Sequence, residues 1–394
     1  MLLFPLTALV LAAPPVPGAP KALNAMCEEA VAKFREGSLG AGFALLDAAQ
    51  KAYPGASQPH ALRAQVYQAI ARKAAPPAAA YFRVRTEDEL EAVYLNPSLS
   101  RDGRAQVQVE LEAVHAHAFP SVTSRDPKAL AAFEEGERSF GARDFQKARE
   151  AYGRALAQDP GFVLAMLYLG DTYHSERHPT EALTWYRKAA QAQPAFPKAW
   201  RFLADGCAAA GRAQEAEEAL LSGLEGNPGN RLLWLKLADL LDAQGRAPKK
   251  LVFDPPFRPS WGPEGQLTLQ ATVPDPGAEG LAIWAPLLTG LHGGAQVKVE
   301  HPGPGAPPLE TPFQLARFFW TLALGALEAQ VQKTGTPVQD RYLAAFLRFK
   351  QEGRLDAALF VLRFQEAFRP DFEAWKRAHP GEVQTFIRTY GLRP

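Results

Sequence analysis

The stretch that decides the fold is Asp144–Phe162, DFQKAREAYGRALAQDPGF, read against His178–Phe196, HPTEALTWYRKAAQAQPAF, 34 residues further on. Identities are few, yet small, aromatic, small and proline residues coincide: Ala148, Tyr152, Ala155 and Pro160 against Ala182, Tyr186, Ala189 and Pro194. Pro228 extends the spacing by another 34. Units counted from Ala129, Val163, Pro197 and Arg231 then align. Position 4 is Ala132, Met166, Trp200, Trp234, and position 8 is Gly136, Gly170, Ala204, Ala238. Position 20 is Ala148, Ala182, Ala216. Position 24 is Tyr152, Tyr186, Leu220. Position 27 is Ala155, Ala189, Gly223. A fixed period of this length marks a stacked array rather than a catalytic shell.

Each unit holds two stretches with apolar residues at i, i+3, i+4 and i+7, the pattern of two amphipathic helices. Small residues at positions 8, 20 and 27 allow close helix approach, and large ones at 4, 7, 11 and 24 fill the space between hairpins. Pro160 and Pro228 end second helices, because the residue before proline is biased out of the helical region. Gly211 and Gly245 fall at the turn between helices, where a positive φ is often needed. One hairpin cannot bury its apolar face alone, so the units must stack.

The segments MLYLGDTY (Met166–Tyr173) and WRFLADGC (Trp200–Cys207), followed by the Ala, aromatic and Pro positions, resemble the tetratricopeptide repeat. The resemblance runs from Ala129 to near Arg246 as three repeats plus a fourth first helix. It implies an all-α solenoid of helical hairpins. Degenerate copies are read on both sides. The first begins at Cys27, with Gly37, Gly42, Leu46, Ala49 and Pro54 in register. The second begins at Asp340, with Gly353, Ala358, Leu362 and Pro370 in register and a departure at Gln365.

Residues 251–312 break the pattern. Their Pro and Gly content is incompatible with helix interiors. Two alternating runs, Gln266–Val273 and Ala295–Glu300, are expected to pair as a small β element, and Trp261 and Trp284 are candidate anchors for the block. The expected organisation is therefore 1–20 signal-type segment, 21–125 N-terminal helical region, 126–250 repeat block, 251–312 partly β insertion and 313–394 C-terminal helical region.

With 47% apolar and 22% charged residues, the 394-residue chain reads as folded. Net charge is +1 and no Lys/Arg-rich run stands out, which argues against a nucleic-acid partner. Cys27 and Cys207 make neither a disulfide framework nor a zinc set. The apolar run Leu2–Ala13, followed by a Pro-rich stretch, has the form of a secretory signal. No Lys or Arg precedes it, and Pro14 would follow a cut at Ala13. The expectation is export, periplasmic or secreted, with membrane contact only through this segment if it is uncleaved; otherwise the protein is cytoplasmic.

No nucleophile-elbow, phosphate-loop or zinc-protease motif is present. His115 and His117 lack a ligand set at metal spacing, and His178 sits at a turn before Pro179, apart from His174. The charge run Arg85–Glu91 is read as a solvated helix face. No catalytic residue, metal or cofactor is expected.

The resemblance implies that first helices line a concave face through positions 2, 5, 6, 9, 12 and 13. Position 9 is acidic in all four units: Glu137, Asp171, Asp205 and Asp239. Around these acids lie Phe133, Phe140, Leu167, Tyr168, His174, Arg201, Phe202 and Leu235. The family often carries Asn at position 9, and the Lys/Asn/Arg set that clamps a C-terminal carboxylate is missing, so chaperone binding is not carried over. The expected function is a non-enzymatic scaffold binding a protein or peptide segment there; the acids are either solvated and balanced by Arg201 and Lys236 or recognise a segment bearing Lys or Arg. The alternatives are a structural solenoid whose groove is filled by its own insertion or C-terminal helices, and an enzyme using the insertion.

Overall fold

The computed structural model describes residues 19–73, 122–253, 257–261, 267–271 and 309–394, together with scattered residues within 86–110 and 283–288. The Leu2–Ala13 run, the pair His115 and His117, and the strand expected at Ala295–Glu300 lie outside the described residues. Packing divides the chain into two compact units. One holds the described residues through Leu220 with Arg231–Leu233, and the other holds Leu221–Asn230 and Trp234–Pro394.

In the first unit, α1 (Lys21–Arg35), α2 (Leu39–Ala52) and α3 (Gln58–Lys73) precede the repeats. The repeat hairpins are α4 (Pro127–Gly141) with α5 (Phe145–Gln158), and α6 (Val163–Ser175) with α7 (Pro179–Ala192). Next come α8 (Pro197–Ala209), α9 (Ala213–Gly226) and α10 (Arg231–Asp242), the last two contributing residues to both units.

The packing positions read from the period are occupied as the period demands. Ala148, Ala182 and Ala216 are all buried, as are Ala155, Ala189 and Gly223. At position 8 the close approach is steric. A Cβ on Gly136 would stand 2.5 Å from the Tyr152 ring, and one on Gly170 would stand 2.6 Å from the Tyr186 ring. The third repeat keeps the pair compatible by another route, with Ala204 at position 8 and Leu220 at position 24, both buried. Trp200 and Trp234 at position 4 each donate their indole N–H to a proline carbonyl six residues back, Pro194 and Pro228, at 2.8 Å.

The turn after the first helix of each repeat reaches positive φ at position 15. Gly211 and Gly245 do so as expected, while the first two repeats place Arg143 (φ 62°) and Arg177 (φ 64°) there. That backbone conformation costs a side-chain-bearing residue roughly 1–2 kcal/mol. In the N-terminal copy Gly37 takes this role with φ 82°. Gly42 at position 20 is required there too, because a Cβ would meet the Phe34 ring at 2.5 Å.

The second unit continues with β1 (Lys249–Lys250), β2 (Phe257–Trp261), β3 (Leu267–Ala271), α11 (Pro312–Thr334), α12 (Arg341–Gln351) and α13 (Leu355–Leu362). A 3-10 turn (Glu366–Phe368), α14 (Arg369–Ala378), α15 (Glu382–Tyr390) and β4 (Leu392–Arg393) complete it. The alternating run after Gln266 is strand β3, but its antiparallel partner is β2, with Trp261 opposite Leu267 and Phe257 opposite Ala271. Pro259 is tolerated in β2 because both strands of a two-stranded ribbon are edges. Strands β1 and β4 pair in parallel, tying the chain end to the segment after the last repeat helix.

The insertion contributes to the core of this unit. Ile283, Trp284, Leu287 and Leu288 are buried, and the Trp284 ring lies 5.4 Å from Phe253 and 6.4 Å from Tyr342. The side chain of Trp261 lies outside the described set. In the C-terminal copy Gly353 turns the chain with φ 70° and Ala358 is fully buried. Helix α13 stops at Leu362, before the exposed Gln365 where the repeat pattern departs. Glu225 then anchors the last helices. It accepts from the Gly381 N–H at 3.0 Å and from Gln384, while Arg369 reaches the Gly226 carbonyl.

Candidate functional site

The face in question is carried by α4, α6 and α8, the first helices of the repeats in the first unit. Asp126 positions α4 by capping the N–H groups of Lys128 and Ala129 at 2.7 and 3.2 Å. On α4, Phe133 is half-buried, with its ring 4.8 Å from Phe162 and 5.7 Å from Tyr168. Phe140 is half-buried against Phe145. Glu137 is exposed and accepts the Tyr152 hydroxyl proton.

On α6, Tyr168 and Asp171 are half-buried, His174 is exposed and Leu167 is fully buried. The Asp171 carboxylate accepts from the Tyr186 hydroxyl at 2.5 Å, so positions 9 and 24 are bonded in the first two repeats. In the third repeat Leu220 has no hydroxyl to offer Asp205, which is exposed. On α8, Phe202 lies edge-on to Tyr186 at 5.7 Å, and Arg201 is only 6% exposed. Leu235 and Asp239 belong to the second unit, half-buried and exposed respectively.

One residue of this face was missed from the sequence. Lys198, at position 2 of the third repeat, is 2% exposed and donates to the Tyr168 hydroxyl at 2.6 Å. Its ammonium also lies 4.7 Å from the Tyr168 ring centroid and 5.3 Å from that of Phe202. The signal was available, since position 2 was already among the positions expected on the face.

Burial pushes the Asp171 carboxyl up to about 6, against the opposing pull of the Tyr186 hydrogen bond and of Lys198, His174 and Arg201. The folded state therefore favours the neutral acid. Its contribution to stability is complete below the unfolded value near 3.8 and is lost as pH rises through about 6. Asp171→Asn keeps an acceptor for Tyr186 and removes the titration. Denaturant unfolding at pH 4 and pH 7 is expected to show the stability difference between the two proteins moving in favour of the variant by about 2 kcal/mol. A difference independent of pH contradicts the raised Asp171 carboxyl.

Within the charge run Arg85–Glu91, Thr86, Glu89 and Leu90 are buried, Glu89 being 7% exposed, and the other charged residues of the run lie outside the described residues. The Glu89 carboxylate lies 2.5 Å from His60 Nδ1 and 3.8 Å from Arg63 on α3, and these partners are what permit its burial.

Among the described residues no group of three His, Cys, Asp or Glu side chains is placed to hold a metal ion. No described helix is long and apolar enough to cross a membrane. Both cysteines are buried, and burial pushes their thiols up.

Two family models, both described as tetratricopeptide repeat, match residues 133–199 and 197–240. The protein carries tetratricopeptide repeats. The matched residues are the hairpins whose positions 8, 20 and 24 nest in the structure. No curated protein matches the chain.

Solved structures similar to it include the first tetratricopeptide-repeat domain of Spaghetti (RPAP3) bound to an HSP90 peptide. It is 20% identical with a TM-score of 0.28, covering 30% of this chain and 94% of that one. PilW, a type IV pilus biogenesis factor, is 19% identical with a TM-score of 0.26, covering 56% and 100%. PilF of Pseudomonas aeruginosa is 13% identical with a TM-score of 0.25, covering 57% and 86%.

Proposed function

We propose that the protein is a non-enzymatic scaffold for protein–protein interaction, taking an extended segment of a partner along the first-helix face of its repeats. The supporting observation is the half-buried aromatic series Phe133, Phe140, Tyr168 and Phe202 set among the exposed acids Glu137 and Asp205. Helix pairs stacked into a solenoid offer such faces as extended binding surfaces. Rings supply contact area at low entropic cost, and carboxylates favour a segment bearing Lys or Arg. Asp171, with its hydroxyl partner and raised carboxyl, is the least suited of the acids to pair with an incoming cation.

The test is fluorescence anisotropy with two extended probe peptides, one alternating Lys with Leu and one alternating Glu with Leu. The basic probe is expected to bind more tightly and to weaken with salt, since screening acts on exposed charges. The combined Glu137→Gln and Asp205→Asn change is expected to cost about tenfold in affinity, corresponding to about 1.4 kcal/mol. Equal binding of both probes at every salt concentration overturns the charge preference, and binding of neither overturns the docking face. Export through Leu2–Ala13 is part of the proposal. The protein is expected in the exported or membrane fraction of its cells, and recovery from the cytoplasmic fraction with Met1 intact rejects it.

A further inference from the structure

The repeats do not treat equivalent positions of their first helices alike. Positions 2 and 5 of the first repeat, Leu130 and Phe133, are half-buried. In the second repeat the same positions, Leu164 and Leu167, are buried, and in the third they are the buried cations Lys198 and Arg201. A lysine and an arginine lose their water only where something stands against them, and that loss is costly; for Lys198 it is Tyr168 and Phe202 of the face itself.

Two described rings stand against Arg201: the guanidinium carbon lies 5.5 Å from the ring centroid of neighbouring Phe202 and 5.8 Å from that of Tyr94, which comes from outside the repeats. Tyr94 also packs on the small core of Ala64 and Leu90, and neighbouring Glu89 is held by His60 and Arg63 of α3. Glu89 and Leu90 thus touch α3, and Tyr94 touches the first-helix face. The fit is incomplete, because Arg201 Nε is buried with no hydrogen-bond acceptor among the described residues. A buried donor left unmet costs about 1–3 kcal/mol.

We infer that Tyr94, held in place beside Glu89 and Leu90, is an intramolecular occupant of the first-helix face at the third repeat, standing where a partner side chain would lie. The inference rests on the docking reading proposed above. It adds that the face is divided: open along α4 and covered from within at α8. A partner that extends to α8 must displace Tyr94, and it gains by offering an aromatic ring to the guanidinium and a carbonyl oxygen to Arg201 Nε. Aromatic-on-guanidinium contact is the part both occupants share, and the added acceptor is the part only the partner supplies. Binding is then coupled to release of Tyr94, and full-length affinity is held below that of a protein whose occupant has been weakened.

The test needs no partner. Full-length protein is treated with phenylglyoxal, and arginine modification is followed by mass spectrometry, with exposed Arg138 as internal reference. Arg201 is expected to be protected in the wild type and to react about tenfold faster in Tyr94→Ala, as opening of the cover exposes it. Leu90→Ala, which loosens the same stretch from α3, is expected to act in the same direction with circular dichroism unchanged. A synthetic peptide of residues 86–94 added to Tyr94→Ala is expected to restore protection. Protection of Arg201 that persists in both folded variants overturns the inference, whatever the probe peptides do. Exposure of Arg201 in the variants supports it even if neither probe binds, so the two readings fail separately.

Discussion

Replacing Gly136 and Gly170 together by alanine is expected to destabilise the repeat block by about 4 kcal/mol, roughly 2 at each site. Each new methyl group would fall 2.5–2.6 Å from a tyrosine ring carbon, and the one on Gly170 also 3.3 Å from the Ala182 carbonyl oxygen. Neither ring has space to retreat. Tyr152 and Tyr186 are buried, and their hydroxyls are bonded to Glu137 and Asp171. Alanine gains about 1 kcal/mol of helix propensity over glycine, so the net cost is what remains after that gain. The third repeat indicates the remedy. Adding Tyr152→Leu and Tyr186→Leu reproduces its Ala204 and Leu220 pair and is expected to recover at least half of the loss. Denaturant unfolding of the four-way set measures it. Additive effects, with no recovery from leucine, would mean that the glycines and tyrosines do not meet.

Trp284→Ala is expected to cost about 4 kcal/mol in the second compact unit, the usual range for removing a buried large aromatic. Trp284 is buried with Ile283, Leu287 and Leu288, and its ring adjoins Phe253 and Tyr342. Tyr342 is in turn stacked on Phe346 at 4.9 Å, and burial pushes its hydroxyl up to about 12. Removing the indole therefore opens a void beside α12. Hydrogen exchange of the α12 amides reads the effect locally and is expected to accelerate. A loop merely lying on the surface would shift stability by less than about 0.5 kcal/mol, and that result would remove the insertion from the core.

The repeat block was readable because its packing is a matter of volume at fixed spacing. Ala148, Ala182 and Ala216 must be small wherever two helices touch, and a period of 34 displays that requirement three times. The turns were half readable. Gly211 and Gly245 announce positive φ, whereas Arg143 and Arg177 adopt it under a side chain that gives no such signal. The face was placed by register, but its covering was not. Leu167 and Arg201 carry no mark of burial in sequence, and the stretch near Tyr94 lies outside the repeat period. Glu89 looked solvated because His60 and Arg63 are 26 or more positions away in the chain. Strand β2 was hidden by Pro259, while the alternation of β3 was plain.

The nesting of small against large side chains is the proposition on which the solenoid, its face and the covering of that face all depend. Nuclear Overhauser contacts in protein labelled at glycine and tyrosine test it most directly. Strong cross-peaks are expected between Gly136 Hα and the Tyr152 ring and between Gly170 Hα and the Tyr186 ring, with both glycine protons shifted by ring current. Absence of either pair in the folded protein would contradict the stacked-hairpin arrangement.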